Sequence, residues 1–560
     1  MNSINYFFAL KQSFKNYSSS SLLKDLKAGL VVALVALPLG LALSVAVDAP
    51  PKHGLFTIIT AGFIIALFGG SRFQVSGPTA AFVVILYPIV HQFGLDGLFY
   101  AGFLAGIFMM VLSFFGFGKI IKMTPFPVVT GFTSGIAFVI FFLQLKDFLG
   151  LQLTNIPNQF IFKVAQIFSH IPQSNPYELG IGIFTLVVIL FTKKYFKNTP
   201  APVIGVISAT LLVYILSHRL PGFSVATLGT KYPGGLPNGL PEFNPFWNKF
   251  SNFHDFWNIT VELIPSALTI AALGAIESLL SAVVADSMTH TQHDPDTELF
   301  AQGLGNTIAP FWGGIAATGA IARTATNIRF GAISPIASVF HAFCILITLL
   351  FFSDLLSFMP LAALAGLLIH VSWNMADIEH IKTIIKVGQF EDKVVFLTCF
   401  LTTVLFDMTI GVSIGVFLAM ILFLNRVIKQ SSGRWIPNNE LKNHSQNIDL
   451  PENSQLYVLE GQLFFGAAQK AISSLLIVDN NIKYIILDFT NVDDIDLTAL
   501  TALYSSLQSL KSNHKICLMI HLKPNINKRI ENFLDHHKLQ DHVHILQNLQ
   551  EVLKVIEKPF

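Results

Sequence analysis

The chain has 560 residues, of which 52% are hydrophobic and only 12% are charged, which is about half the charged share of a typical soluble domain. A sequence of this composition cannot hide its apolar surface in water, so most of it is expected to lie in a lipid bilayer. The formal net charge of +2 gives no reason to expect a nucleic-acid partner, because binding DNA or RNA needs a concentrated basic face.

The sequence also argues against an enzyme. Cys344, Cys399 and Cys517 are far apart and match no metal-ligand or CxxC spacing, so disulfides, a zinc site and thiol catalysis are not expected. No metal or cofactor is predicted. The C-terminal part contains no nucleophile–base pair, metal set or phosphate loop.

Long uncharged runs fill the first part of the chain, whereas the last part reads like an ordinary soluble sequence. This uneven composition predicts a domain in lipid and a domain in water. The predicted boundaries are a cytosolic N-terminal segment at 1–27, a transmembrane domain at 28–430, a linker at 431–452 and a soluble domain at 453–560.

A membrane-spanning helix needs about 20 mostly apolar residues, and the transmembrane domain offers two groups of seven apolar elements. The first group covers roughly 28–47, 54–70, 76–90, 98–118, 124–145, 176–192 and 200–217. The second covers roughly 261–285, 299–312, 318–328, 330–353, 355–372, 393–406 and 408–425. The Pro/Gly-rich stretch 217–260 separates them.

Two of these elements, 76–90 and 318–328, open with small and helix-initiating residues, in QVSGPTAAF and GIAATGAIARTATN. They are predicted to be short helices that begin inside the membrane, although a proline kink in a continuous helix is an alternative for the first. An odd number of elements per half forces the halves into opposite orientations. That is the arrangement of an inverted-repeat transporter, in which interrupted helices mark the binding site.

Basic residues near helix ends predict the orientation, because they concentrate on the cytosolic side. One side holds Lys11, Lys15, Lys24, Lys27, Arg72, Lys119, Lys122, Lys193, Lys194 and Lys197, and the other holds Lys52, Lys146 and Lys163. The N-terminus is therefore expected to be cytosolic. An even number of spans returns the C-terminal domain to the same side.

The C-terminal domain alternates strand-like runs (QLYVLEGQLFF, KYIILDF and KICLMIHL) with helical patterns at 497–512, 524–537 and 547–556. This alternation predicts a small α/β sandwich. Asp496 or Thr498 is expected to cap the helix at 497–512, and Thr498 as a phosphoacceptor is the alternative.

The short elements carry the candidate binding residues. A helix that starts in mid-membrane directs unpaired N–H groups and the positive end of its dipole at whatever precedes it, which attracts an anion. Ser76 to Ala81 supply such a start in the first half, and Thr318 to Thr324 supply one in the second, with Arg323 as a fixed cation. An isolated Arg there costs about 2.5–3.5 kcal/mol on insertion scales, so it needs a substrate or protein carboxylate as its partner.

Glu277 lies in the apolar segment LTIAALGAIESLLSAVVA, with Ser281 one helical turn further on the same face. It could be a proton site, a cation ligand or a structural partner for Arg323. Coupling is the favoured hypothesis, because intramembrane acids usually mark ion or proton paths. Asn306 and Asn327 are expected to bond helix to helix, Asp407 to lie at a helix end, and His290 and His293 to lie in a solvated turn.

The stretches GGSRFQVSGPTAAFVVILYP and LGAIESLLSAVVADSMTHTQHDPDTELFAQGLGNTIAPFWGGIAATGAIARTATN resemble the SulP family of anion transporters, and the C-terminal 100 residues resemble its STAS domain. The resemblance implies an α-helical polytopic fold with core and gate domains, built from 14 transmembrane elements as 7+7 inverted repeats, plus a cytosolic STAS domain. It further implies a homodimer in the bacterial inner membrane, with a possible cytosolic protein partner for the STAS domain.

The resemblance also implies that a small anionic substrate lies between the first, third, eighth and tenth helices. The predicted substrate-binding residues are Leu39, Ala42, Ser76, Thr79, Ala80, Ile321, Ala322, Arg323 and Thr324, and the predicted coupling residues are Glu277 and Ser281. The sequence of these motifs is similar to that of bacterial family members that take up C4-dicarboxylates such as succinate together with protons. The expected mechanism is elevator-type alternating access.

Other substrates in the family remain alternatives. The bicarbonate branch, which uses sodium, resembles this chain but has an Asp at the position of Glu277 and no match for Arg323. Sulfate-type members often have a Gln where Leu39 follows Pro38. Sodium-coupled bicarbonate transport, proton-coupled sulfate transport and an uncoupled exchanger or channel are therefore the rival functions.

Overall fold

The structure is a computed structural model of the chain. It describes residues 7–121, 125–153, 157, 160–196, 199–233, 236, 239–243, 245–246, 253–406, 408–430, 432–437, 450–464, 469, 471–472, 475, 481–537 and 542–557. The chain divides into two compact units, Met1–Phe417, hereafter the transport unit, and Leu418–Phe560, hereafter the C-terminal unit.

The first half of the transport unit is almost entirely helical. Its elements in chain order are α1 (Phe8–Ser13), α2 (Ser19–Ala46), α3 (Lys52–Phe68), β1 (Ser76–Gly77), α4 (Ala80–Phe114), α5 (Phe117–Ile121), α6 (Phe126–Phe148), α7 (Phe160–Ser169), α8 (Pro176–Tyr195), α9 (Ala201–Arg219) and α10 (Leu228–Lys231). α3 contains a π-helical turn, and α4 is broken at Gly94, whose φ is +70°.

The second half of the transport unit is also mostly helical and contains a short strand. Its elements are α11 (Phe253–Thr289), α12 (Pro295–Ile308), β2 (Thr318–Gly319), α13 (Ile321–Arg329), α14 (Ile336–Ser357), α15 (Leu361–Met375), α16 (Ile378–Val387), α17 (Phe390–Leu405) and α18 (Met408–Gln430). α18 runs across the boundary between the two units.

The predicted apolar elements are confirmed, since a helix stands at the position of each of them. Eight helices among the described residues are long and apolar enough to cross a membrane. Two predicted starts are wrong, because α14 begins at Ile336 rather than 330 and α15 at Leu361 rather than 355. A proline precedes each true start, and proline suits the beginning of a helix better than its interior.

The interrupted elements of the two halves meet. β1 and β2 pair antiparallel, with Ser76 opposite Gly319 and Gly77 opposite Thr318. Pro78 therefore lies before the start of α4, and the alternative of a proline kink within one continuous helix is wrong.

A buried carboxylate joins the start of α2 to the start of α14. Asp25 Oδ1 accepts hydrogen bonds from the backbone N–H groups of Ile333 (2.6 Å) and Ser334 (3.1 Å). Asp25 Oδ2 accepts from the Ser334 hydroxyl at 2.5 Å and from the Tyr17 hydroxyl at 2.7 Å. Burial and the Asp25 hydrogen bond raise the pKa of Tyr17 to about 12, so the phenol keeps its proton as the donor.

The C-terminal unit contains a five-stranded sheet in the order β3-β4-β5-β6-β7. The strands are β3 (Ser432–Ile436), β4 (Ser454–Leu463), β5 (Tyr484–Ile495), β6 (Ile516–Ile520) and β7 (Val543–Ile545), and the helices are α19 (Leu497–Ser512), α20 (Pro524–His537) and α21 (Leu549–Glu557). β3 pairs antiparallel with β4, and the remaining pairs are parallel.

The predicted α/β sandwich is confirmed, and apolar side chains pack on both faces of this sheet. The predicted cap is also confirmed, because Asp496 Oδ1 accepts from the Ala499 N–H at 2.7 Å. β7 has three residues, too few for period-two patterning to show, and the two apolar residues of β3 (SGRWI) are adjacent rather than alternating, so the sequence did not predict these strands. β3 falls within the segment 431–452 that was predicted as a linker.

We expect Asp25→Asn to destabilise the transport unit, because the side-chain NH2 group would face N–H and O–H groups that now donate hydrogen bonds to the carboxylate. The loss is expected to be about 2–4 kcal/mol, as for a buried charged acceptor with several donors. Thermal unfolding of the detergent-solubilised full chain measures it. Glu379→Gln, which neutralises an exposed carboxylate of α16, is the matched control, and equal melting of both variants would contradict the role of Asp25.

Candidate anion site

The β1–β2 pair places two helix starts next to each other. α4 begins at Ala80 after Thr79, and α13 begins at Ile321 after Ala320. Neither Thr79 nor Ala320 accepts a hydrogen bond from its helix with its side chain. Both helix ends therefore lack the side-chain acceptor that usually satisfies first-turn N–H groups, and both can serve an anion.

Arg323 lies in the first turn of α13 and is only 2% exposed. Its Nη2 donates to the Pro78 carbonyl at 2.7 Å, and its Nη1 has no hydrogen-bond partner in the part of the chain that the structure describes. A Cβ added at Gly77 would lie 2.6 Å from that Nη1. Glycine at 77 therefore leaves room for a guanidinium that keeps a free donor.

Glu277 of α11 lies next to the other start, not next to Arg323. The Thr79 hydroxyl donates to Glu277 Oε2 at 3.0 Å, and the Glu277 side chain is partly buried. No ion pair within 4 Å joins Glu277 to Arg323, both of which are described residues. The hypothesis that Glu277 is the structural partner of Arg323 is thus wrong for this conformation.

Other predicted site residues bond the two halves together. The Ser281 hydroxyl donates to Thr324 Oγ1 at 3.1 Å, and Thr324 Oγ1 also accepts from the Val75 N–H at 3.1 Å. Ser76 Oγ accepts from Gln302 Nε2 at 2.8 Å. These hydroxyls are engaged inside the protein, so in this conformation they position the backbone of the site.

The remaining predicted site residues are apolar and contribute surface only. Leu39 and Ala42 of α2 are 9% and 1% exposed, and α2 packs against α13. Ala80 is buried, whereas Ile321 and Ala322 are exposed at the start of α13. A substrate-binding role for these five residues stays a prediction.

The sequence reasoning missed a buried polar network behind the site. Glu298 of α12 accepts hydrogen bonds from the Gly70 N–H (2.9 Å) and the Ser71 N–H (3.0 Å) through Oε2, and from Gln74 Nε2 (2.9 Å) and Gln302 Nε2 (3.0 Å) through Oε1. The sequence pattern that could have predicted this network is the i, i+4 spacing of Glu298 and Gln302 on one helix face in TELFAQGLGN.

The predictions for the other polar residues of the membrane domain can be compared with the structure one by one. Asn306 Nδ2 donates to the Ala317 carbonyl at 2.8 Å and Asn327 Nδ2 donates to the Phe73 carbonyl at 2.9 Å. Both acceptors lie in the non-helical segments before β2 and β1, so the prediction that the two residues bond helix to helix is wrong. The solvated turn is wrong for His293, which is buried with Nδ1 2.6 Å from Asp286 Oδ2. Asp407 lies outside the described residues.

Chemically, the arrangement supplies two helix starts, one buried guanidinium with a free donor, and the Glu277 carboxyl group in contact with Thr79. Such a set can hold an anion of small size and can take up a cation or proton at Glu277.

Sequence models of two known families match the chain. The "Sulfate permease family" matches residues 22–398, and the "STAS domain" matches residues 447–552. Among curated proteins, the chain is similar to "Putative sulfate transporter YvdB" of Bacillus subtilis (37% identity over 94% of this chain and 98% of that protein). It is also similar to "Bicarbonate transporter BicA" of Picosynechococcus sp. (28% identity over 90% of each chain).

Solved structures show the same fold. SLC26A9 superimposes with a TM-score of 0.82 at 16% identity, over 97% of this chain and 91% of that one. The transmembrane domain of a cyanobacterial bicarbonate transporter BicA superimposes with a TM-score of 0.60 at 26% identity, over 72% of this chain and 98% of that one. The fold is therefore that of an SLC26-like helical membrane transporter with a C-terminal STAS domain.

We expect Gly77→Ala to remove anion binding while leaving the fold intact, because the added methyl group would displace Arg323 Nη1. The measurement is the rise in melting temperature that succinate or sulfate gives to the purified protein, which depends on binding to the folded state. Gly180→Ala in α8 is the matched control, since its Cβ would meet nothing within 4 Å. Wild-type anion stabilisation in Gly77→Ala would refute this reading of the site.

Proposed function

The chain belongs to the sulfate permease family, and we propose that within this family of anion transporters it takes up C4-dicarboxylates such as succinate together with protons. The protein is a membrane transporter rather than an enzyme, because the curated relatives it matches are named transporters. The proposal has three parts, namely that the substrate is a dicarboxylate, that a proton is carried with it, and that transport occurs by elevator-type alternating access.

The observation that carries the proposal is the free donor of Arg323. A buried guanidinium with an unused N–H group is costly until an acceptor fills it, and no protein carboxylate within the described residues does so. A substrate carboxylate would supply that acceptor in a charge-assisted hydrogen bond. The second carboxylate of a dicarboxylate would suit the adjacent start of α4.

Proton coupling rests on Glu277. Its carboxyl group receives one hydrogen bond, from Thr79, and has no cation within 4 Å among the described residues. An apolar segment tolerates a neutral carboxyl far better than an unpaired carboxylate. A proton on Glu277 would therefore favour the binding of a dianion close to its partner Thr79, and transport would carry both.

The membrane, the orientation, the motion and the assembly of the transporter are part of the same proposal. The distribution of Lys and Arg supports cytosolic termini, and the Bacillus relative supports a bacterial plasma membrane. Motion of the bundle that contains α2, α4, α11 and α13 against the remaining helices would give alternating access. A homodimer and a cytosolic partner for the STAS domain follow from the family resemblance.

Sulfate is the second candidate substrate, because the relative at 37% identity is named a putative sulfate transporter. Sulfate is also a dianion and would satisfy the same donors. Bicarbonate with sodium is favoured only by the likeness to BicA. Exchange without a coupling ion is a further alternative, which the Glu277 variant described below distinguishes.

We expect proteoliposomes with the purified full chain to accumulate labelled succinate when an inward proton gradient is imposed. Arg323→Ala should lower uptake about thirtyfold or more, as expected when one partner of a buried charged pair is truncated. Arg329→Ala removes one exposed charge from the same helix and should leave uptake near the wild-type rate. Parallel assays with sulfate and with bicarbonate plus sodium identify the substrate, and uptake of either without succinate uptake would refute dicarboxylate transport.

We expect Glu277→Gln to abolish proton-driven accumulation while succinate–succinate exchange continues, because the amide mimics a permanently protonated carboxyl. Counterflow and gradient-driven uptake in the same proteoliposomes separate the two activities. Glu262→Gln, an exposed acid on the same helix, is the control. Accumulation at the wild-type level in Glu277→Gln, or uptake that follows sodium and ignores pH, would rule out proton coupling at this residue.

A further inference from the structure

A polar cavity lies away from the candidate anion site, at the C-terminal ends of α2 and α6. Its walls include Ala46 from α2, Tyr87 from α4, Lys146 near the end of α6 and Lys163 from α7. Asp48, Asp147 and Lys231 add three more charged side chains. A cavity with this many charges is not a packing defect of an apolar core, since such defects are lined by hydrocarbon.

The charges in the cavity do not balance. Lys231 Nζ lies 3.3 Å from Asp147 Oδ1, and Asp48 Oδ2 lies 3.2 Å from His91 Nε2. Asp147 is therefore paired with a cation, whereas the imidazole partner of Asp48 is charged only when it is protonated, and three lysines face two carboxylates in the described part of the cavity. Lys146 and Lys163 have no carboxylate within 4 Å in the described parts of the chain.

Lys163 is unusual for a lysine on a short helix, because it is only 7% exposed. Its Nζ lies 4.1 Å from the centroid of the Tyr87 ring, and the ammonium makes no ion pair. A cation over a phenol ring is attracted to it, but the ring does not neutralise the charge. Burial and the neighbouring Lys146 ammonium lower the pKa of Lys163 to about 8, as expected for a site that lacks a counter-ion.

The cavity shares two helices with the candidate anion site. Tyr87 follows Ala80 by two turns of α4, about 10 Å along the axis, and Ala46 follows Ala42 by about 6 Å along α2. The cavity therefore lies on the same two helices as the candidate anion site, one to two turns further along each of them. With a cytosolic N-terminus, as proposed above, this end faces the outside.

We propose that this cavity is a second anion site, in which Lys163 and Lys146 bind a small carboxylate or oxyanion at the outer approach to the candidate anion site. The arriving anion takes the place of the Tyr87 ring as the partner of the Lys163 ammonium. Because Tyr87 belongs to α4, anion binding also loosens the contact of α7 with the helix that carries Thr79. The position at the outer approach rests on the proposed orientation, whereas anion binding does not.

The test is protection of a reporter thiol in the cavity. Leu153, which is half-buried and lines the cavity, is replaced by cysteine in a Cys344→Ser full chain, whose other cysteines are buried. The rate of modification by a membrane-impermeant cationic thiosulfonate is measured with increasing succinate or sulfate. We expect both anions to slow it, and Lys163→Met with Lys146→Met to raise the anion concentration for half-protection about tenfold or more.

Controls separate a binding role from a folding role. Lys163→Arg keeps the charge and should keep the protection, and Lys194→Met removes one exposed lysine without effect. Arg323→Gln should retain protection even though uptake is lost, which excludes a signal relayed from the candidate anion site. The proposal is overturned if neither anion protects the thiol of the Leu153→Cys variant, if the double methionine variant stays protected, or if Arg323→Gln abolishes protection. Failure of succinate uptake alone refutes the proposed function and leaves this inference standing.

Discussion

Backbone N–H and C=O groups at the depth of the hydrocarbon core must find partners within the protein, and the centre of the transport unit depends on this requirement. The β1–β2 pair joins only two residues from each half. Side chains complete the pairing: Asn306 bridges the N–H and C=O of Ala317, Thr57 accepts from the Ile315 N–H, and Ser278 accepts from the Gly319 N–H. Two non-helical crossings can therefore exist in mid-membrane, and with them the two helix starts.

The same requirement explains why a second acid is buried behind the site. Glu298 uses both oxygens to hold Gly70, Ser71 and Gln74, so the chain entering β1 has one defined path. That path sets the position of the Pro78 carbonyl, which in turn holds Nη2 of Arg323. The Arg323 guanidinium is thus positioned through a polar network that lies behind the candidate anion site.

The sequence predicted the helices and the two interrupted elements because length and apolarity in a membrane are strong signals. It also singled out Arg323 and Glu277 as candidates, since isolated charges stand out in apolar segments. It could not show that these two charges lie apart, or that Glu298 reaches Gly70, because both facts depend on how distant segments meet. The short strand β3 was missed for a related reason, since its pairing with β4 rather than periodicity defines it. The start of α14 was missed although Pro335 marks it in the sequence.

The separation of Arg323 from Glu277 has a consequence for coupling. Each helix start contributes roughly half a positive charge, so the two starts and Arg323 together offset about the charge of a dianion. If Glu277 is neutral, a bound dianion is then approximately balanced, whereas an ionised Glu277 leaves one uncompensated negative charge in a low-dielectric site. Had Glu277 paired with Arg323, the guanidinium would have been neutralised before any substrate arrived. Under the proposed function, keeping the two groups apart would let the substrate and the coupling proton neutralise different charges, and the binding of one would favour the binding of the other.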